Sequence, residues 1–524
     1  MSQVPFTDAR STKDWLILLP LMNTRVAHAE LCSAMETLAE GNMLPLEALK
    51  SLEILRSSVH DVQFALTHEY AAKPLPLSSS EQAQWQAASK LWEGMADAYA
   101  RCWKDAQADD SPIVEFLPLL AERAVRCMGF VVRCHYMVGR KVSDAIWVKI
   151  FSFYQHAEQL AITDKKVKDS LLSVGDSTTV QAVFIHTLLL SAANSNQHTL
   201  RRLLWIDQML ELFATRSHIA PKAPALPGKT PLQIDLAEPG SPQRFGQPKE
   251  GPDIREIDTL ALAQVLSKRI KLLRQGELPE KLGLGNELGL QATLDILSDL
   301  YRLWCEHGTE RAPRELKPRT VPLILALPAQ HLYVVDGNYT PPPEESVKVG
   351  SRDLINIHLF GDLSPSRQNN EPQALPPIEL WDVVNETAQG LRLSRVASQG
   401  ERISLNQLMV VKSSARYLAG VVRWLEESEG NLHLGLVLLP GLPKAAAIRP
   451  CEPARATPEY TNIVWLPAMP ALKAPQTLLL PNGWFRAGRQ CELWNGERII
   501  KVKFISILEY GSNFERVHFA EQKL

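Results

Sequence analysis

The sequence predicts an α+β multidomain protein, with an all-α N-terminal half followed by a β-barrel and a second small β domain at the C-terminus. Apolar residues recur at helical spacing through the first 216 residues, and short alternating segments bounded by turn residues dominate after Trp381. Between these parts, eight prolines fall between Pro221 and Pro252. A chain of 524 residues is too long to fold around a single core, so several domains are expected.

The overall composition is that of a globular protein. It is 45% hydrophobic and 22% charged with a formal net charge of −2, which argues against a nucleic-acid binder or a polybasic membrane-surface protein. No run of 18 apolar residues is present, so we expect no membrane insertion. Seven scattered cysteines are typical of free thiols in a reducing compartment. We therefore expect a cytoplasmic protein.

The clearest helical stripe lies in the first half of the chain. Its large apolar residues are three or four positions apart, which puts them on one helix face. The stripe consists of Trp85, Ala88, Trp92, Met95, Tyr99 and Trp103. Such aromatic residues could line a cofactor site, but a helical domain uses tryptophans at this spacing to fill its interior. We therefore predict that the stripe is core.

The domain boundaries follow from the changes in composition. Proline removes a backbone donor and blocks helix formation, so the proline-rich segment is predicted to be a linker or an extended strap. The full assignment is an all-helical domain at 1–216, the linker at 217–256, a helical segment at 257–308, a β-barrel at 309–455 with an inserted helix and loop near 345–377, and a small β domain at 456–524.

Catalytic and metal sites find little support in the residue patterns. Cys127 and Cys134 are seven residues apart and His135 follows, so one helix face could present all three to a metal. Zinc ligands are usually two to four residues apart, however, and buried structural thiols fit better. No paired carboxylates, metal-ligand set or phosphate-binding loop stands in a suitable context. We predict no enzyme, no metal and no catalytic residue.

The segment from Val384 to Leu391 predicts strand, tight turn, strand. Asn385 and Thr387 carry side-chain oxygens that can close a turn on the backbone, and Gly390 permits the positive φ expected at its end. Two further strands are predicted at residues 418–425 and 432–439.

This β unit resembles the PilZ domains. The run Asn385-Glu386-Thr387-Ala388-Gln389-Gly390 is similar to the PilZ motif Asp/Asn-x-Ser-x-x-Gly, with threonine in place of serine. The strand containing Gly420-Val421-Val422-Arg423-Trp424 and the later Leu434-Gly435-Leu436 strand resemble the rest of that barrel. The resemblance covers about residues 311–440, within an arrangement similar to large, mostly helical proteobacterial proteins.

The resemblance implies a six-stranded barrel that binds the bacterial second messenger cyclic di-GMP. In PilZ domains an Arg-x-x-x-Arg arm clamps the guanines and phosphates through forked hydrogen bonds, against the turn motif. It therefore implies ligand-binding roles for Arg314, Arg319, Asn385, Thr387 and Gly390. The two arginines are five residues apart instead of four, and the long gap to Asn385 requires the insertion near 345–377 to loop out.

Two functions remain open at this point. In the first, the protein is a cyclic di-GMP-responsive effector that acts through contacts between its helical region and a protein partner. In the second, it is a non-enzymatic scaffold whose PilZ-like barrel has lost nucleotide binding. Neither hypothesis requires a cofactor other than the dinucleotide.

Overall fold

The computed structural model describes residues 6–40, 43–244, 247–306, 319–327, 330–331, 341–342, 378–413, 416–451 and 459–522. The chain divides into two compact units, one formed by residues 1–312 with 426–430 and the other by residues 313–425 with 431–524. The first is mainly helical and the second is built from β-strands. The predicted α+β organisation is confirmed.

The first unit contains ten helices within its described residues. They are α1 Ala9–Leu18, α2 Thr24–Glu40, α3 Pro45–Tyr70, α4 Ser79–Ala106, α5 Leu117–Met137, α6 Asp144–Gln159, α7 Val180–Ala192, α8 Leu200–Phe213, α9 Leu260–Arg274 and α10 Leu290–Cys305. A short antiparallel pair, β1 Val167–Lys168 and β2 Ser177–Thr178, precedes α7.

The aromatic stripe lies on α4 and fills the core as predicted. All six of its residues are buried. Ser78 begins the helix through a capping box, since its side chain accepts from the Glu81 backbone while the Glu81 carboxylate accepts from the Ser78 backbone. The indole Nε1 of Trp85 donates to the Cys134 carbonyl on α5 at 3.1 Å. The stripe thus holds α4 against α5.

The buried positions predicted for Cys127 and Cys134 are confirmed. Both lie on α5, and all seven cysteines are free thiols. Burial raises the pKa of the Cys127 thiol to about 12. The Tyr70 hydroxyl lies 3.6 Å from the Cys134 sulfur, and His135 Nδ1 lies 2.9 Å from the Val131 carbonyl oxygen. These neighbours account for the cysteines as packing residues.

The proline-rich segment predicted to be a linker or strap contains regular structure. It forms a three-stranded antiparallel sheet in the order β3-β5-β4, from β3 His218–Ala220, β4 Leu232–Asp235 and β5 Ile254–Asp258. The eight prolines lie outside these strands, where they remove no ladder hydrogen bond. Buried positions in β4 and β5 supply the apolar face that a free linker would lack.

A buried ion network ties α3 and α5 to the loop after β1. Asp169 Oδ1 lies 2.5 Å from an Arg56 nitrogen, and its Oδ2 lies 3.0 Å from Arg126 Nε. Arg126 also lies 2.6 Å from Glu122, and Arg123 pairs with Glu122. Burial alone raises the pKa of the Asp169 carboxyl, but the surrounding guanidinium groups outweigh it and hold that pKa below its usual range.

The second unit contains two closed six-stranded barrels within its described residues. The first barrel is formed by β6 Arg319–Ile324, β7 Glu379–Thr387, β8 Gly390–Val396, β9 Leu408–Ser413, β10 Arg416–Ser428 and β11 Asn431–Leu438, in the order β10-β11-β8-β7-β6-β9. The six strands implied by the PilZ resemblance are present. The inserted helix and loop predicted near 345–377 lie outside the described residues.

The C-terminal β domain is the second closed barrel. Its strands are β12 Lys444–Pro450, β13 Thr461–Leu466, β14 Thr477–Leu480, β15 Gln490–Trp494, β16 Ile499–Tyr510 and β17 Glu515–Glu521, in the order β12-β13-β14-β17-β16-β15. Its first strand begins before residue 456, inside the range predicted for the first barrel. The reason is that β12 pairs with β13 and β15, which both belong to the second barrel.

No helix among the described residues is both long enough and apolar enough to span a lipid bilayer.

Replacement of Asp169 by asparagine should strongly destabilise the helical unit. The asparagine side chain would keep the shape but leave Arg56 and Arg126 buried with less compensating charge, at a cost of about 3–5 kcal/mol in the free energy of unfolding. Urea denaturation of the full chain followed by circular dichroism measures this change. The control is Asp105→Asn, which breaks the more exposed Arg101–Asp105 pair and should cost about 1 kcal/mol or less. Equal effects of the two variants would contradict the prediction.

Candidate functional site

The predicted turn motif forms a two-residue hairpin between β7 and β8. Thr387 and Gly390 are cross-strand partners, so Ala388 and Gln389 form the loop. Thr387 Oγ1 accepts a hydrogen bond from the Gln389 amide at 3.3 Å. The expectation that the threonine side chain closes the turn is confirmed.

Gly390 serves a different purpose from the one predicted. It is not among the described glycines with a positive φ, so that part of the prediction is wrong. A Cβ atom at this position would lie 2.6 Å from the Leu436 carbonyl oxygen on β11. Glycine is therefore required because β11 approaches the backbone closely, and this cause depends on a strand far away in sequence.

A register shift in β7 decides which residues of the motif face outward. Val383 pairs with Leu393, but Asn385 pairs with Arg392, so Val384 is an extra residue in the strand. Val383 and Leu393 are buried inside the barrel. Because cross-strand partners point to the same face, Asn385 and Arg392 share the outer face of the barrel.

Arg319 lies at the start of β6 and on the other side of the sheet from Asn385. It pairs in register with the inward-facing Val383. Its guanidinium lies 2.6 Å from a Glu386 carboxylate oxygen, and its side chain is 40% exposed. The structure therefore brings Arg319 to Glu386 rather than to Asn385. Arg314 lies outside the described residues, so its predicted role stays a prediction.

The outer face carries two residues that the sequence analysis did not assign to the site. Arg392 pairs in register with Gly435 of β11 as well as with Asn385. A Cβ atom on Gly435 would overlap Nε1 of Trp424, so the indole lies directly over this glycine. The Arg392 guanidinium carbon lies 5.6 Å from the centroid of the Trp424 ring.

The Arg392–Trp424 pair is chemically suited to a purine base. Nε of Arg392 is buried and has no hydrogen-bond partner among the described residues. Guanidinium and indole planes both stack on bases, and a guanidinium also offers forked donors to acceptor atoms such as those of guanine. The alternation of residues along β8 after Gly390 is a sequence signal from which Arg392 could have been predicted to lie beside the motif. Its approach to Trp424 depends on the pairing of β8 with β11.

A buried cluster lies inside the barrel, on the opposite side of β7 and β8 from this outer face. The Arg395 guanidinium lies 4.8 Å from the Trp381 ring centroid, and its Nε lies 3.2 Å from Glu379 Oε2. Trp381 Nε1 donates to the same carboxylate at 3.0 Å. Burial lowers the pKa of Arg395, and the Glu379 charge opposes that shift. The cluster fixes β7 and β8 relative to each other.

The fold and this face define the class: an α+β protein in which a helical unit precedes two closed barrels, the first bearing the turn motif. Residues 10–224 match the family model described as "Cyclic-di-GMP receptor FimW, N-terminal domain", which covers α1 to β3. Residues 446–522 match the model described as "FimW C-terminal beta-barrel domain", which covers the second barrel.

The chain is also similar to a curated protein along most of its length. It is 22% identical over 539 residues to the "Cyclic-di-GMP receptor FimW" of Pseudomonas aeruginosa, covering 93% of this chain and 86% of that protein. Both family models and this relative carry the same name. The PilZ resemblance of the first barrel remains a prediction.

Replacement of Gly435 by alanine should displace the Trp424 indole. The added methyl group cannot coexist with the ring, so we expect a cost of about 1–3 kcal/mol in the free energy of unfolding. Urea denaturation of the full chain measures it. The control is Gly240→Ala, because a Cβ atom there meets nothing within 4 Å. An unchanged stability of Gly435→Ala would contradict the close packing of the indole on β11.

Proposed function

We propose that this protein is a cytoplasmic, cyclic di-GMP-responsive signalling effector that binds the dinucleotide at the outer face of its first barrel. The observation that carries the proposal is the shared face of Asn385, Arg392 and Trp424, next to the Thr387–Gly390 turn. The similarity of the chain to a cyclic-di-GMP receptor over most of its length supports the choice of ligand.

Each part of this face has a role in the proposed complex. Trp424 and Arg392 stack on one guanine. Asn385 and the short hairpin let polar side chains and backbone approach the ribose and phosphates. Gly390 and Gly435 leave room for close packing at this face. A side chain at Gly390 would collide with β11, and one at Gly435 would collide with the Trp424 indole.

Arg314 and Arg319 supply the charge for the phosphates in this proposal. Arg319 is paired with Glu386, but it is 40% exposed, and a surface ion pair of this kind contributes about 0–1 kcal/mol. A bidentate arginine–phosphate contact is stronger. Arg319 can therefore leave Glu386 when the ligand arrives. Because it starts on the side of the sheet opposite Asn385, it must move around the start of β6 to reach the phosphates, and this movement is the signal that we expect binding to generate.

The output of the receptor is assigned to protein–protein contacts of the helical region, and no catalytic step is proposed. The described residues contain no group of three or more histidines, cysteines or acidic residues able to hold a metal ion. The name of the relative, a receptor, also fits a non-catalytic protein.

A second candidate function is a scaffold whose first barrel no longer binds the nucleotide. The observation in its favour is the placement of Arg319, which points to the opposite side of the sheet from Asn385 and is occupied by Glu386. In that case the barrel acts as a rigid interaction module.

Calorimetric titration with cyclic di-GMP separates the two functions. We expect saturable binding at micromolar ligand, and near-complete loss of binding in the double variant Arg314→Ala, Arg319→Ala because both charged contacts to the phosphates disappear. The control is Arg498→Ala, which removes an exposed arginine from the second barrel and should leave the affinity unchanged. No heat from the unmodified protein at micromolar ligand favours the scaffold.

The stacking pair has a separate signature. Trp424→Ala and Arg392→Ala should each weaken cyclic di-GMP binding by about tenfold or more, because stacking on one base contributes roughly 1–3 kcal/mol. Trp424→Phe keeps an aromatic face and should recover most of the affinity. The same titration measures all three variants, with circular dichroism as the check on folding. Full affinity in Trp424→Ala would place the ligand elsewhere on the chain.

A further inference from the structure

A cavity of about 520 Å³ opens between α1, α3 and the start of α5 in the helical unit. Its size lies within the usual range of about 300–1,000 Å³ for small-molecule sites. Most of its lining is apolar, and those residues are Ala9, Leu46, Leu49, Ile54, Phe116 and Leu119. Neither barrel contributes to it, so the proposed nucleotide site leaves it unexplained.

One face of α3 and one face of α1 line this cavity. On α3, Leu46, Lys50 and Ile54 are four residues apart and therefore share one face. On α1, Arg10 and Lys13 line the cavity, and Ile17 continues the same face one turn further. Ile17 is 81% exposed. The apolar surface thus extends from the cavity along α1, with cationic groups beside it.

The charges around the cavity favour an anion. Lys13 has no ion pair among the described residues, whereas Lys50 lies 2.8 Å from Glu47. Arg10 has a favourable electrostatic interaction with Asp8. The acidic residue in the lining itself, Glu53, is already held by other groups.

The negative charge of Glu53 is already compensated by neighbouring protein groups. Its carboxylate accepts from Arg123 at 3.0 Å and from the Tyr99 hydroxyl at 2.7 Å. Burial raises its pKa, but the Arg123 and Tyr99 contacts outweigh burial and lower it overall. Glu53 therefore stays ionised and paired. Of the cations that line the cavity, Lys13 is the one without an acidic partner among the described residues.

We propose that this cavity binds a monomeric anionic amphiphile of the fatty-acid class. The acyl chain occupies the apolar space between Leu46, Ile54 and Phe116, and the carboxylate head lies at Lys13 and Arg10. An apolar cavity on its own favours any hydrocarbon, and the lysine at its edge selects a negative head group.

Titration of the full chain with sodium dodecanoate, below its micelle-forming concentration, tests the proposal. We expect saturable binding of one molecule per chain. Hexanoate should bind more than tenfold more weakly because it buries fewer methylene groups, and dodecyltrimethylammonium should also bind more than tenfold more weakly because its head group is repelled. Equal affinities for the anionic and cationic amphiphiles would overturn the proposal.

Variants locate the binding. Lys13→Glu should weaken dodecanoate binding by about tenfold, and Ile54→Asp, at a half-buried position, should abolish binding because it places a charge on the apolar wall. The control is Lys268→Glu, which makes the same charge change at an exposed position of α9 and should have no effect. Circular dichroism verifies that each variant is folded.

Two further outcomes would count against the site. Unchanged dodecanoate binding in folded Lys13→Glu and Ile54→Asp would place the amphiphile elsewhere. Binding to anionic phospholipid vesicles without binding to monomeric dodecanoate would make this face a membrane contact instead. Neither result bears on cyclic di-GMP binding, which Lys13→Glu should leave intact.

Discussion

The register of β7 against β8 is the constraint on which the candidate site depends. One extra residue at Val384 turns Asn385 outward, beside Arg392, and turns Glu386 toward the end of the barrel, where it meets Arg319. A strand alternates faces at every residue, so a slip of one position would reverse all of these assignments. The buried Arg395–Trp381–Glu379 cluster opposes such a slip, because the contacts of Arg395 on β8 with Trp381 and Glu379 on β7 depend on this register.

The two barrels share one hydrophobic cluster, and this packing stabilises the first barrel, whose outer face carries the candidate site. From the first barrel and its flanks come Ile324, Leu327, Leu408, Val410, Ala419, Val421 and Leu439, and from the second come Val464, Leu466, Leu479 and Phe514. Polar contacts reinforce this interface, since the Leu408 amide donates to Asn513 Oδ1 at 2.9 Å. Ile324 of β6 is therefore part of the core that the two barrels share.

The helical unit has a network of charged side chains in its buried core. Arg56, Arg123 and Arg126 are all buried, and they face the buried carboxylates of Glu122 and Asp169. Such a network contributes little net stability compared with an apolar core, but it is costly to break and accepts few alternative arrangements. It connects the loop after β1 to two long helices. Glu53 pairs with Arg123 and lines the α1–α3 cavity, so it extends this network to the cavity wall.

Local sequence patterns determined the helical unit, the strands and the turn motif of this protein. The tryptophan stripe on α4, the alternation of β10 and β11 and the Thr387 turn each depend on neighbours within a few residues, which a sequence displays directly. Tertiary structure alone decided the rest. The need for glycine at 390, the meeting of Arg392 with Trp424 and the separation of Arg319 from Asn385 arise from strands brought together by barrel closure. Those distances depend on pairing and register, and no local pattern specifies them.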